Sequence, residues 1–294
     1  MTLFFTVLII SYLYHGLGVT VGYHRLLSHR AFKVPLWLEY LIVSGGYLCL
    51  EGSPIFWVTA HRLHHRYSDL PGDPHSPRDG LWHAFLGWML NYKAEDTKEI
   101  SQKTCPDLWR DSLYRWLDVG HTDARATLCV AIFIAFRVLI YLCFGPVALA
   151  ANLVASVAIF CCPCLVNSVC HLKSFGYQNF DARDQSRNVW WVGLMALGEG
   201  WHNNHHALPQ SARHGLKPFE VDISYWVICL LKTVGLARDV RLPNWKHLLI
   251  EQTHTAQRDS LERVVGLKSE PRSETKSETK SETRPEAKSP AQLK

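Results

Sequence analysis

Apolar and charged positions separate along this chain into long blocks. Residues 1–23 carry no Lys, Arg, Asp or Glu, and about 20 apolar residues are enough to cross the hydrocarbon core of a bilayer as helix. The run lacks the basic start and small-residue cleavage site of a signal peptide, so it predicts a crossing helix. A second block, 126–166, holds a single charge, Arg137, and is interrupted at Gly145-Pro146. Its halves, 126–144 and 147–166, predict a helical hairpin that crosses out and back; the competing reading is a buried helix pair in a soluble protein. A charge at mid-bilayer costs about 2.5–3.5 kcal/mol, and the sequence leaves open whether Arg137 reaches the interface or faces protein. Two shorter runs, Leu36–Leu50 with Glu39 and Ile223–Leu236 with Lys232, suit helices lying on the membrane or packed under a cap.

One crossing plus a hairpin leaves 24–125, 167–267 and the tail on one face, with 15 of the 16 His. Arg25, Arg30, Lys33, Arg62 and Arg66 follow the first crossing and Lys173 and Arg183 follow the hairpin, which assigns this face to the cytoplasm. The expected fold is an all-α, multi-pass integral membrane protein: a transmembrane helical stem of about three crossings with a cytoplasmic helical cap. Residues 268–294 repeat Ser-Glu-X-Lys/Arg with like charges four apart and Pro271, Pro285 and Pro290 interspersed. Such a tail is expected to be disordered.

The chemistry lies in four clusters on the cytoplasmic face: His24-Arg-Leu-Leu-Ser-His29, His61-Arg-Leu-His64-His65, Asn167-Ser-Val-Cys-His171 and Gly198-Glu-Gly-Trp-His202-Asn-Asn-His205-His206. In HxxHH the three rings sit at i, i+3 and i+4 and project from one helical face, where they can serve one or two metal ions. His24 and His29 are five apart, about 140° around an α-helix, and converge only if the helix ends or bends between them. Nine imidazoles exceed two closed four-ligand zinc sites, and no thiolate stands among them. All-imidazole shells suit iron or copper, and two five- or six-coordinate ions with an open position fit nine nitrogens, which points to a di-iron site for O2 chemistry. A bilayer-bound enzyme of this kind implies a lipid chain as substrate, since each methylene kept from water is worth about 0.8 kcal/mol.

Composition changes this picture little. Nine Cys, including the run Cys161-Cys162-Pro163-Cys164 at the end of a long apolar stretch, read as small buried hydrophobes rather than a disulfide framework. The net charge of +5 comes without a separate basic stripe, so no nucleic-acid partner is expected.

At HRLLSH (24–29), HRLHHRYSD (61–69), DPHSP (73–77), NSVCH (167–171) and GEGWHNNHH (198–206), continuing through HHALPQSARHGL (205–216), the chain resembles the membrane fatty acyl desaturases of the stearoyl-CoA or Δ9 type, closest to their bacterial, cyanobacterial and plant branch. The resemblance covers about residues 12–245. It implies O2- and electron-dependent insertion of a cis double bond into an acyl-CoA or acyl-lipid chain. It also implies two irons on His24, His29, His61, His64, His65, His171, His202, His205 and His206, with Asn167 orienting a metal-bound water. Trp57 keeps the family's tunnel tryptophan, Glu51 stands where Gln is usual, and Pro163-Cys164 replaces a tunnel Thr-Trp pair. Thr59-Ala60 replaces the Arg-Asp of the animal acyl-CoA enzymes. No fused haem domain is visible, so a separate donor is implied, a ferredoxin or a cytochrome-b-type carrier with its reductase. Family members usually cross four times, and this chain predicts three.

The remaining histidines read as ordinary. His15 is expected to be a satisfied polar residue within the first crossing. His75, His83, His121, His214, His247 and His254 are expected to be structural or exposed, with His214 serving as an exposed control. Glu199, Asp69, Asp73 and Asn203 are candidates for fixing imidazole rings, and Arg62, Arg66 and Lys173 for meeting an anionic headgroup. A hydroxylase of the same His-rich type and a His-rich membrane metal carrier are the rival functions.

Overall fold

The first apolar block folds as α1 (Thr2–Leu17) and runs without a break into a π-helical stretch, Gly18–Ser28. This is a computed structural model describing residues 1–91, 97–118 and 127–243, all within one unit, Met1–Pro243. After the wide helix come α2 (Leu36–Tyr47), α3 (Pro54–Tyr67), the short α4 (Trp88–Asn91), α5 (Thr97–Thr104), α6 (Ser112–Leu117) and α7 (Thr127–Val169). The chain closes with α8 (Trp190–Met195), α9 (His202–Ala207) and α10 (Ile223–Thr233). The described residues contain no strand beyond isolated backbone bridges such as Lys33–Arg238.

Two stretches, Thr2–Ser28 and Leu128–Val169, are long and apolar enough to cross a membrane. The longer one is broken at Gly145, whose φ of 79° and ψ of −178° leave the helix. That conformation favours a residue without Cβ, and Pro146 follows. The chain folds back there: Arg137 Nη2 donates to Ser156 Oγ at 2.5 Å, whereas 19 residues of straight helix would hold the two about 28 Å apart.

Arg137 faces protein. It is 6% exposed, donates also to the Leu48 carbonyl, and lies 3.7 Å above the Phe133 ring. His15 is satisfied, as expected: its Nδ1 donates to the Gly45 carbonyl at 2.9 Å and its Nε2 accepts from Asn152 at 3.3 Å. These bonds and Asn152–Ser11 at 2.9 Å tie the first helix, α2 and both arms of α7 together. The opposite faces stay apolar and exposed, with Ile9, Ile10, Leu142 and Val157 among the outward side chains.

The cap is anchored by caps of the ordinary kind. Ser53 Oγ accepts from Phe56 N at 3.0 Å and Pro54 opens α3; Asp222 accepts from Tyr225 N at 3.0 Å at the start of α10. One apolar core gathers Tyr23, Leu27, Phe32, Ile55, Val58, Tyr114 and Ile228, and a second gathers Val19, Ile159, Cys162, Val166 and Val192. All nine cysteines are free; eight are buried or half-buried, and Cys143 on the outer face of α7 is exposed, contrary to the reading of every thiol as buried. Arg62 is not available to a headgroup: it spends its guanidinium on Asp107 and on the Leu27, Ser28 and Thr104 carbonyls. Arg66 and Lys173 are exposed. The tail at 268–294 and the cap beyond Pro243 lie outside the described residues.

Candidate metal centre

The structure brings all nine motif histidines together in two adjacent groups. His24, His29, His61, His65 and His205 form one; His64, His171, His202 and His206 form the other; within each, one ring nitrogen per residue lies within 4.8 Å of the rest.

Local geometry explains how each motif contributes. The backbone N–H of His29 donates to the His24 carbonyl at 3.2 Å, an i→i+5 bond. In a π-turn, five residues make about one turn, so His24 and His29 share a face, their rings 4.9 Å apart. The helix widens and then ends at Ser28, with His29 as its C-cap. Each HxxHH motif divides its rings between the groups, in opposite senses. On α3, His61 and His65 join the first group and His64 the second; on α9, His202 and His206 join the second and His205 the first. His171 arrives from the end of α7 and completes the second group, its Nε2 3.0 Å from that of His202.

Carboxylates fix the outward nitrogens. His24 Nδ1 donates to Glu199 Oε2 at 2.5 Å, His64 Nδ1 to Asp73 Oδ1 at 3.0 Å, His171 Nδ1 to Asp69 Oδ2 at 3.1 Å and His206 Nδ1 to Asp184 Oδ2 at 2.6 Å. Glu199, Asp69 and Asp73 were legible beside the motifs. Asp184 was missed: it stands 22 residues before His206, in a stretch with no spacing signal. Asn203 touches no imidazole and instead pins the loop at Asn179 and Phe180. Glu199 is delivered by Gly198, whose φ of 119° suits glycine and where a Cβ would strike Asp222 Oδ1 at 2.4 Å. Behind it, fully buried Arg25 bonds both Glu199 and Asp222.

Two histidines with bland sequence readings belong to these surroundings. His75 is buried, its ring 4.3 Å from that of His64. His214 is 1% exposed, with Nδ1 3.2 Å from Glu199 Oε2; it is no exposed control. His83 is half-buried and bonds the Pro74 carbonyl at 3.1 Å. His121, His247 and His254 lie outside the described residues.

The donor set fits a metal. His64 and His206 both commit Nδ1–H to a carboxylate, so their Nε2 lone pairs face each other bare at 3.3 Å. Such an arrangement is repulsive unless a cation lies against it. Burial, reinforced by the neighbouring imidazoles, holds His29, His61, His64, His65, His202 and His205 well below the usual histidine range, in the neutral form that ligates. Burial works to raise the Glu199 carboxyl, but His24, Arg25 and His214 overcome it and keep the group well below its usual range.

A cavity opens against both groups. His24 and His61 reach it from the first and His202 from the second, beside Asn167, Trp57 and Pro163, with Gly16, Val19, Ile159, Cys162 and Leu197 as apolar wall. Glu51 does not line it; it stands behind the wall and accepts from Trp57 Nε1 at 3.0 Å. Burial pushes its carboxyl up to about 8.

A family model described as fatty acid desaturase matches residues 1–223. Delta-9 acyl-lipid desaturase 1 of Arabidopsis thaliana is 41% identical over 239 residues, covering 81% of this chain and 75% of that protein. The sn-1 stearoyl-lipid 9-desaturase of Anabaena variabilis is 39% identical over 239 residues, 81% of this chain and 84% of its own. The sn-2 palmitoyl-lipid 9-desaturase of Nostoc sp. (strain 36) is 42% identical over 234 residues, 79% of each. With its histidines gathered in two groups at the head of an apolar cavity, this chain belongs to the fatty acid desaturase family and is an oxidoreductase of that kind.

Proposed function

We propose that the protein inserts a cis double bond at the Δ9 position of a saturated acyl chain carried on a membrane glycerolipid, with two irons held by its nine histidines. The observation that carries this reading is the apolar cavity lined by histidines of both groups, His24, His61 and His202. An alkyl chain gains about 0.8 kcal/mol for each methylene buried there. When bound, the irons supply O2 activation and hydrogen removal from unactivated carbon. The protein's own part is positional: Trp57, Pro163 and Ile159 hold the chain in register, Asn167 offers its amide to a water beside the rings, and the carboxylates keep His24, His64, His171 and His206 aimed inward.

One saturated chain, one O2, two electrons and two protons yield one unsaturated chain and two waters. The electrons come from a separate carrier, a ferredoxin or a cytochrome-b-type protein with its reductase. Thr59-Ala60 before His61 and the lipid substrates in the relatives' names favour a glycerolipid over CoA. In this reading the first helix and the two arms of α7 are three crossings, and basic residues that follow them, among them Arg30, Lys33, Arg66 and Lys173, favour a cytoplasmic catalytic face. Residues 1–267 form the catalytic domain and 268–294 an appended tail.

Expression in a host that makes only saturated chains, followed by lipid mass spectrometry, tests the reading. A loss of two mass units located at C9–C10 on lipid-bound chains, from protein carrying close to two irons, is expected. A gain of sixteen mass units identifies a hydroxylase instead. Full activity with zinc and no iron ends the di-iron reading, and conversion of stearoyl-CoA without conversion of lipid-bound chains ends the glycerolipid one.

A further inference from the structure

We propose that Asn204 is a positioning residue of the whole centre: it fastens the back of α9, so that this helix presents His205 to one group and His202 and His206 to the other. The proposal rests on reading the two histidine groups as metal sites.

A helix as short as α9 does not hold itself in place. It has six residues, and its N-cap residue, Trp201, offers no side-chain acceptor to the first turn. By contrast α3, which carries the other HxxHH, has 14 residues and the Ser53 cap. On α9 the three rings span an arc of about 100°, and Asn204 falls about 150° from its middle. There it is 1% exposed, and every polar position of its amide is matched. Nδ2 donates to the His214 carbonyl and to Glu220 Oε2, both at 2.8 Å. Oδ1 accepts from Asn179 Nδ2 at 2.8 Å and from Asn188 Nδ2 at 2.9 Å. An amide meets this set; a carboxylate has no proton for Glu220, and a methyl serves none of the four.

The same residue ties α9 to the chain that supports its rings. The backbone N–H of Asn204, in the first turn, donates to Asn188 Oδ1 at 3.2 Å, so Asn188 supplies from a distance the cap that Trp201 lacks. Asn188 is fully buried and exchanges both backbone hydrogen bonds with Tyr177, at 2.7 and 3.1 Å. It follows four residues after Asp184, whose Oδ2 accepts from His206 Nδ1 at 2.6 Å. One short segment therefore grips α9 on its ring side and on its back. Asp184 acts on one ring. Asn204 acts on the helix, and through the helix on rings of both groups.

The test is a Co²⁺ titration of metal-free, detergent-solubilised protein, read by the d–d absorption of the bound ions, with helix content and unfolding midpoint measured on the same samples. Wild type takes up two ions per chain. Asn204→Ala, at wild-type helix content, weakens both affinities about tenfold and alters both spectra. Asn188→Ala removes the cap but leaves Asn204 its bonds to Asn179, Glu220 and the His214 carbonyl; it shows the same joint loss. Because the two residues share one set of bonds, the double variant loses little more than the worse single one. Wild-type affinities and spectra in Asn204→Ala, whatever its midpoint, overturn the proposal, since they mark a residue that at most stabilises the fold. A loss confined to one ion overturns it too, as does failure of both single variants to fold. If Asn204→Ala alone fails to fold, Asn188→Ala decides on the same readings. A wild-type chain that takes up one ion or none overturns the site reading and this proposal together.

Discussion

In the four-histidine group, three of the four outward nitrogens have a carboxylate of their own: Asp73 for His64, Asp69 for His171 and Asp184 for His206. In the five-histidine group one carboxylate, Glu199, stands behind His24 and is shared with Arg25. The first arrangement distributes its support, and the second concentrates it in one residue that also neutralises a buried guanidinium. Ligand loss should therefore damage the two groups alike, whereas loss of a carboxylate should not.

Removal of a ring gives the largest effect. His171→Ala and His205→Ala each take one nitrogen from one group, and both should lower desaturation at least about a hundredfold with iron falling below two per chain. Asn167→Ala, which takes only an amide from the cavity wall, should fall between these and wild type. Iron and double-bond formation measured on the same sample decide it; His171→Ala with both irons and near-normal turnover would leave the centre to the other eight histidines.

The carboxylates separate the groups. Asp184→Asn should weaken one ion about tenfold and leave the fold intact, because Asp69 and Asp73 still hold their own rings. Glu199→Gln should weaken the other ion by up to about a hundredfold and also destabilise the protein by about 3 kcal/mol, since fully buried Arg25 keeps Asp222 as its one carboxylate, beside the Ala212 carbonyl. Metal affinity and thermal unfolding of the two variants, run side by side, check the contrast. Equal losses would mean that Glu199 is no more than another single-ring support.

Much of this was legible because short-range spacing carries it. HxxHH places three rings on a helical face whatever surrounds it, and Gly145-Pro146 announces a turn in an otherwise unbroken apolar run. What escaped depends on partners distant in sequence. The division of each HxxHH between two groups is decided by which rings the opposing helix presents. Arg137 finds its acceptors at Leu48 and Ser156, and Asp184 and His214 come from stretches with no periodic mark. The π-turn that joins His24 to His29 was half legible: the five-residue spacing demanded a departure from α geometry, and nothing in the side chains said which.

Glu51 sharpens the comparison from the other side. Like Glu199 it is a buried carboxyl near the five-histidine group, reaching it through Trp57, whose ring stacks 5.0 Å from that of His61. Unlike Glu199 it has no cation beside it: one oxygen accepts from the Trp57 indole and Oε1 has no partner. Burial raises it to about 8, with the Trp57 bond pulling only weakly the other way. A carboxyl raised in the folded state keeps its proton after the unfolded chain has released its own. Stability is then full below about pH 4.5, declines as pH rises from there toward 8, and levels off above. At pH 7 the decline amounts to at most about 3 kcal/mol. Glu51→Gln keeps the acceptor for Trp57 and removes the titration. Turnover should stay within about twofold of wild type, while unfolding midpoints between pH 5 and 8 should lose that slope and rise most at the alkaline end. A variant with the wild-type slope would mean that the Glu51 carboxyl ionises as easily folded as unfolded, and that water reaches it behind the cavity wall.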